Sequence, residues 1–130
     1  MMAIPGNNNL FLAFFSVIGL FLLTASAFAR DMEPMDTAVL QGLDKVTARV
    51  STTDVPVGNA VRFGTLHITV RACRKAPPIE QPEAAAFLEI VDQRLDESPV
   101  TLYSGWMFAN FPALAALDHP IYDIWVIDCR

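Results

Sequence analysis

The sequence predicts a small, mainly β domain: an antiparallel sandwich or a partly open barrel, with one short helix near residues 111–117. Three observations lead to this fold class. The chain has only 130 residues, which leaves room for one small domain and not for a three-layer α/β enzyme. Apolar and polar residues alternate through several short stretches, as they do in strands with one buried face. Clusters of proline and glycine separate these stretches and mark turns.

The first 29 residues differ from the rest of the chain in composition. They contain none of the nine Lys and Arg residues and none of the 14 Asp and Glu residues. A long apolar run leads into Ala27 and Ala29, which are spaced like the small residues before a signal-peptidase site. We therefore predict a signal peptide over residues 1–29, cleaved before Arg30, and a periplasmic protein. The alternative is an uncleaved anchor, because Leu10–Ala29 is long enough to span a bilayer, and membrane contact is expected only in that case.

The exported part divides into two regions. Residues 30–42 have mixed charge and no clear period, so we predict a flexible lead-in. Residues 43–130 are predicted to form a single β domain. Its predicted strands cover residues 43–52, 60–63, 66–73, a stretch from residue 86, 100–108 and 121–129.

Two of these elements carry more specific predictions. The last strand is apolar on both faces, with Ile124 and Val126 alternating with Trp125 and Ile127, which is typical of a central strand. The short helix is predicted from Asn110 as a cap, with a proline in the first turn.

Cys73 and Cys129 are the only two cysteines. In an oxidising compartment two cysteines usually pair, and here the intramolecular connectivity is unique. We therefore predict a disulfide between them. Cys73 falls on the face opposite to Leu66, Ile68 and Val70, so the bridge is expected outside that core layer or at a strand end. A redox or nucleophilic thiol is the alternative, but the C-x-x-C spacing of redox pairs is absent.

Several classes of function are disfavoured by the residues. The net charge of −5 argues against a nucleic-acid partner, which requires a basic face. The two histidines, His67 and His119, are isolated from other donors, so we predict no metal site and no cofactor. His119, Asp123 and Ser104 are the nearest approach to a catalytic triad, yet no G-x-S-x-G motif accompanies them. We therefore predict no catalytic residues and favour a non-enzymatic role.

Trp106 is the strongest candidate for recognition, together with Tyr103 and Arg71. Exposed Trp and Tyr side chains on a sheet bind sugars or protein partners. The alternative is that Trp106 and Trp125 both belong to the core. Five basic residues are predicted to lie on strand exteriors or in the following loop: Arg49, Arg62, Arg71, Arg74 and Lys75. If one sheet gathers them, that sheet could bind an acidic partner. The alternative is a solvated basic surface without a partner.

Short stretches from Leu43 to Cys129 are shared with a known family. They are LDKVT (43–47), VPVG (55–58), FGTL (63–66), VRAC (70–73), PEAAAF (82–87), SGWMFA (104–109) and HPIYDIWV (119–126) with Cys129. On these residues the chain resembles the domain of unknown function 2155 family. The resemblance implies a small exported protein of Gram-negative, alphaproteobacterial type, and hence the periplasm. It implies no established activity and no catalytic residues.

Together these observations predict a non-enzymatic periplasmic β domain that binds a protein partner of the cell envelope. The first alternative is a glycan-binding module that uses Trp106 or Tyr103. The second is a small hydrolase that uses Ser104, His119 and Asp123.

Overall fold

The structure is a computed structural model and describes residues 31–130. These residues form one compact unit, Asp31–Arg130. The predicted signal peptide, residues 1–29, lies outside the described residues. In chain order the strands are β1 (Glu33–Pro34), β2 (Thr37–Asp44), β3 (Arg49–Pro56), β4 (Ala60–Phe63), β5 (Leu66–Lys75), β6 (Ala84–Asp92), β7 (Val100–Phe108) and β8 (Tyr122–Cys129).

The strands form two sheets in which every pairing is antiparallel. The five-stranded sheet has the order β1-β5-β6-β7, and β4 also pairs with β5. The three-stranded sheet has the order β3-β2-β8. The predicted sandwich is confirmed, and the sheets do not close into a barrel.

The core lies between the two sheets and is built from alternate residues of each strand. The most deeply buried inner-face residues are at most 4% exposed and supply most of the apolar burial. Those from the five-stranded sheet include Leu66, Ile68, Val70, Leu88, Ile90 and Met107, and those from the three-stranded sheet include Ala38, Leu40, Ile124 and Val126.

The predicted flexible lead-in is wrong, because β2 is the central strand of the three-stranded sheet. Its residues alternate between half-buried and buried, with Ala38, Leu40 and Gly42 on the inner face. Gly42 was expected to end the lead-in, but it lies within the strand. A Cβ at this position would lie 2.7 Å from the Phe63 ring of the opposite sheet, so glycine makes room for that ring.

The predicted strand over residues 43–52 is interrupted by a hairpin loop. The Asp44 side chain accepts hydrogen bonds from the backbone amides of Val46 and Thr47, at 2.9 and 3.2 Å. Ala48 adopts a positive φ of 55°. A local Asp side-chain turn of this kind competes with strand pairing, and it leaves Val46 77% exposed.

A β-bulge turns Cys73 to the core face, whereas simple alternation places it on the opposite face. The other half of that prediction holds, since Cys129 is the last residue of β8 and the bridge lies at a strand end. Val70 pairs with Leu88 and Ala72 with Phe87, so Arg71 is the extra residue of β5. The extra residue reverses the inward and outward alternation beyond it. Cys73 is therefore 2% exposed and forms the predicted disulfide with Cys129.

β8 is an edge strand and not the predicted central one. Its inner face packs in the core through Ile124 and Val126, while Trp125 on the other face is half-buried. Trp125 lines a shallow cavity with Pro112 and Leu117 of the preceding connection. The second apolar face is thus partly covered by a loop, which is why it resembles that of a central strand.

The predicted helix near residues 111–117 is reduced to one 3-10 turn, Pro112–Leu114. Asn110 does not cap it. Its side chain donates a hydrogen bond to the Pro82 carbonyl, and its backbone amide donates to Glu83 Oε1 at 3.2 Å. The start of the segment is therefore bound to the β5–β6 loop, and a longer helix lacks its N-terminal cap.

Candidate binding face

The register of the five-stranded sheet determines which predicted binding residues lie together. Trp106 pairs with Phe87, and both side chains point away from the core. Arg71, in the β5 bulge, is exposed on the same outer face. Tyr103 pairs with the fully buried Ile90 and points inward. The structure therefore places Trp106 and Arg71 on the same face, on either side of β6, and Tyr103 on the other face.

The rings of Trp106 and Phe87 form an edge-to-face pair on this outer face. Their centroids are 5.6 Å apart and their planes are at 88°. Both side chains are half-buried, so Trp106 is neither a core residue nor fully exposed. Such a pair contributes about 0.5–1.5 kcal/mol beyond its buried area, and it holds the indole in a defined orientation before any partner binds.

Arg71 forms an ion pair beside these rings. Its guanidinium donates to Glu89 Oε2 at 3.1 Å, and the two side chains are 56% and 37% exposed. An exposed pair of this kind adds little stability. It does fix a charged group next to Phe87, because Glu89 and Phe87 lie two residues apart on the same face of β6.

Tyr103 supports the backbone of Trp106 from the inner side of the sheet. Its hydroxyl donates a hydrogen bond to the Trp106 carbonyl at 2.8 Å. A Cβ at Gly105 would lie 3.5 Å from the same hydroxyl, which is an ordinary van der Waals contact. Burial raises the pKa of the Tyr103 phenol. The hydrogen bond makes Tyr103 a candidate for positioning Trp106.

Two further arginines lie on the outer face. Arg62 pairs with His67 in the β4–β5 ladder, and Arg74 pairs with Ala85 beyond the bulge. Both are exposed. We define the candidate binding face, called the binding face below, as six outer-face residues of this sheet: Arg62, Arg71, Arg74, Phe87, Glu89 and Trp106.

The other two basic residues considered in the sequence lie elsewhere. Lys75 points to the other sheet and pairs with Asp128 at 3.0 Å. Arg49 begins β3.

Sequence reasoning missed Phe87 and Glu89. Phe87 lies in the strand predicted from residue 86, but its contact with Trp106 depends on a register that the sequence does not specify. In that strand, alternation places Phe87 on the face opposite to that of Ala86 and Leu88. This alternation was the only sign in the sequence that Phe87 lies on the outer face.

The hydrolase constellation is not assembled. The Nε2 of His119 lies 3.3 Å from Oδ2 of Asp92, and its Nδ1 accepts hydrogen bonds from the backbone amides of Ile121 and Tyr122 at 3.0 and 3.1 Å. Asp123 pairs with Lys45 at 3.2 Å. Neither ring nitrogen is therefore available to Ser104 or Asp123.

These contacts also define the tautomer of His119. Nδ1 accepts from two amides, so the ring proton resides on Nε2 and donates to Asp92. A hydrogen bond from Thr65 is the main cause that lowers the pKa of Asp92 from its ordinary value of 3.8; hydrogen bonds from His119 and Arg94 act in the same direction, and burial opposes them. The Asp92–His119 pair is a buried structural contact and not a general base.

The described residues offer neither a metal cluster nor a membrane-spanning helix. Within residues 31–130, no group of three or more His, Cys, Asp and Glu side chains is placed to hold a metal ion. In the same part of the chain, no helix is long and apolar enough to cross a bilayer.

The described part of the chain is thus a disulfide-linked β-sandwich domain with an aromatic and basic face. A family model described as "Uncharacterized protein conserved in bacteria (DUF2155)" matches residues 38–129, and the chain belongs to this family. An uncharacterized protein of Rickettsia prowazekii is 30% identical over 87 residues, which cover 67% of this chain and 56% of that protein. The chain therefore spans just over half the length of the curated relative. No solved structure matches it.

Proposed function

We propose that this domain is a non-catalytic binding module of the bacterial cell envelope that holds a protein partner on its binding face. The observation that carries the proposal is the half-exposed Trp106–Phe87 pair with Arg71 beside it. Aromatic and arginine side chains contribute most of the energy in protein interfaces. Tyr103 and Phe87 hold Trp106 in place, which lowers the entropy lost on binding.

The proposed location is the periplasm. The predicted leader over residues 1–29 supports export, and the Cys73–Cys129 pair is of a kind that persists in oxidising compartments. The binding face would then be presented to other envelope proteins.

A glycan-binding module is the second candidate, because a half-exposed tryptophan is also suited to stack on a sugar ring. Sugar recognition also requires polar groups that hydrogen-bond the hydroxyls. The polar groups of this face are Ser104, Glu89 and Arg71, and the last two already pair with each other. The composition of the face therefore favours a protein partner.

The test is site-specific photo-crosslinking in the native bacterium. A benzophenone amino acid replaces Ser104, which is exposed on the outer face of β7, in the full-length chain. The matched control replaces Thr52, which is exposed on the outer face of the other sheet. We expect one discrete protein adduct from position 104 that is absent from position 52 and reduced by Trp106→Ala. Equal adducts from both positions, or none, would overturn the proposal.

Tryptophan fluorescence tests the glycan candidate separately. The chain has two tryptophans, so Trp125→Phe leaves Trp106 as the only indole. A saturable change in emission on titration with soluble peptidoglycan fragments, without a protein adduct from position 104, would favour the glycan module.

A further inference from the structure

We infer that the partner presents an extended acidic segment of protein, which lies along β5 against the binding face. This inference rests on the proposed function and adds the chemistry of the partner. It is carried by the charges of the face and by their arrangement.

The binding face has the opposite charge balance to the whole chain. The protein has a net charge of −5, whereas the face has three arginines and one carboxylate, Glu89. Three arginines against one carboxylate give the face a positive net charge. The one carboxylate, Glu89, is paired with Arg71, so the charges of Arg62 and Arg74 are not compensated on the face. A basic face on an acidic protein attracts partners that present acidic side chains.

Arg62 and Arg74 have no carboxylate partner among residues 31–130. Most other cations there do have one: the pairs are Lys45–Asp123, Arg71–Glu89, Lys75–Asp128, Arg94–Asp92 and Arg130–Asp54. Apart from these two arginines, Arg49 at the start of β3 is the remaining unpaired cation of the described residues. Two of the three unpaired guanidiniums therefore lie on the binding face.

The three arginines form a line parallel to β5. Arg62 lies opposite His67 near the start of β5, Arg71 is in the bulge, and Arg74 is near the end. At about 3.3 Å per residue, the first and last positions are roughly 20 Å apart along the strand. An extended segment of about six residues has this length, and its alternate side chains point to one side. Acidic side chains on that side would meet the arginines, while neighbouring apolar ones would contact Phe87 and Trp106.

An anionic membrane surface fits the same charges less well. A bilayer takes up protruding apolar side chains next to basic ones. The aromatic rings of the binding face are half-buried in the sheet, whereas the most exposed apolar residues, Ile79 at 95% and Leu95 at 93%, lie in the β5–β6 and β6–β7 loops and not on the face itself. The observations therefore favour a protein segment.

The test uses the full-length chain, oxidised, and a fluorescein-labelled peptide of alternating Glu and Phe, about twelve residues long. A peptide with Lys in place of Glu is the matched probe. Fluorescence anisotropy compares the wild type, Arg62→Glu/Arg74→Glu and the control Arg49→Glu, and thermal unfolding checks that each variant is folded. We expect the acidic peptide alone to bind, about tenfold more weakly to the double variant and within about twofold of wild type to Arg49→Glu. Added salt should weaken the binding of the wild type.

The outcomes separate this inference from the proposed function. Equal binding of both peptides, or no effect of the double reversal, would overturn the acidic segment. So would binding to vesicles of phosphatidylglycerol and phosphatidylethanolamine without binding to the peptide. If the acidic peptide does not bind but the adduct from position 104 persists in Arg62→Glu/Arg74→Glu, only the acidic inference fails. If the otherwise wild-type chain gives no protein adduct from position 104, the proposed function and the acidic-segment inference both fail.

Discussion

His119 donates its Nε2–H to Oδ2 of Asp92 at 3.3 Å and thereby ties the β7–β8 connection to the end of β6. Both residues are 5% exposed. On the other side of the ring, Nδ1 receives the amides of Ile121 and Tyr122, where β8 begins. The Tyr122 ring stacks on the imidazole, with centroids 5.2 Å apart. This one side chain therefore links the five-stranded sheet to the start of a strand in the other sheet.

The first prediction concerns the stability that this contact provides. Asp92→Ala leaves the His119 Nε2–H without its acceptor and Arg94 without its carboxylate, so we expect the free energy of unfolding to fall by about 3 kcal/mol. His119→Ala should cost a similar amount, because two amides and a buried carboxylate lose their partner. Asp118→Ala, at the exposed neighbouring position, is the control and should change stability by less than about 0.5 kcal/mol. Urea unfolding measures all three, and a small effect at Asp92 would contradict a stabilising role for the pair.

The second prediction concerns pH. The pKa of Asp92 is lower in the folded protein than its ordinary value of 3.8, so its ionised form is stabilised by folding. That contribution is complete above the unfolded pKa and is lost as the pH falls through the folded pKa. The stability difference between wild type and Asp92→Asn should therefore be constant near neutral pH and shrink below pH 3.8. Urea unfolding at a series of pH values checks this, and parallel profiles down to strongly acidic pH would contradict it.

Alternation in the sequence predicted the core where strands are regular and failed where a neighbour changed the geometry. Leu66, Ile68 and Val70 lie in the core as predicted. The bulge at Arg71 could not be predicted, because it depends on how β5 pairs with β6. Gly42 was expected to end the lead-in and not to lie within a strand. The Phe63 ring for which Gly42 makes room lies in the other sheet, so the local sequence does not reveal it.

The same limit applies to the candidate site. Trp106 and Tyr103 are three positions apart in one strand, so alternation alone puts them on opposite faces, and the register agrees. It could not identify Phe87 as the partner of Trp106, because cross-strand pairs follow from register and not from local pattern. The Asp92–His119 contact joins residues 27 positions apart. No local sequence motif indicates that two residues so far apart will be in contact.

The third prediction concerns the disulfide. It links residues separated by 56 positions, and the chain-entropy model gives about 4 kcal/mol for a loop of that length. Cys73→Ala/Cys129→Ala should therefore lower the free energy of unfolding by about 4 kcal/mol, a large part of the stability of a small domain. Unfolding of the wild type with a reductant should match the double variant, on which the reductant should have no effect. If the disulfide does not stabilise the fold, the unfolding midpoint of the double variant will equal that of the oxidised wild type.

The fourth prediction concerns export. If residues 1–29 are a cleaved leader, the mature protein begins at Arg30. Mass spectrometry of the intact protein from the periplasmic fraction should give the mass of residues 30–130 with one disulfide. Ala27→Leu and Ala29→Leu enlarge the residues that the peptidase requires to be small, so they should cause the full-length precursor to accumulate in the membrane fraction. A wild-type protein that retains its first residues there would support the uncleaved anchor.

The fifth prediction compares two glycines with positive φ. Gly58 has a φ of 91° and open space where a Cβ would lie, whereas a Cβ on Gly64, with a φ of 58°, would overlap the Tyr122 ring. Gly58→Ala should cost about 1 kcal/mol for backbone strain alone. Gly64→Ala should cost about 2–4 kcal/mol, because it also displaces a ring that packs edge-to-face on Phe63. In a Tyr122→Ala background the overlap is absent, so Gly64→Ala should then cost only about 1 kcal/mol. Urea unfolding of the four proteins in this cycle measures the coupling, and an equal cost of Gly64→Ala in both backgrounds would show that Tyr122 is not what requires glycine at this position.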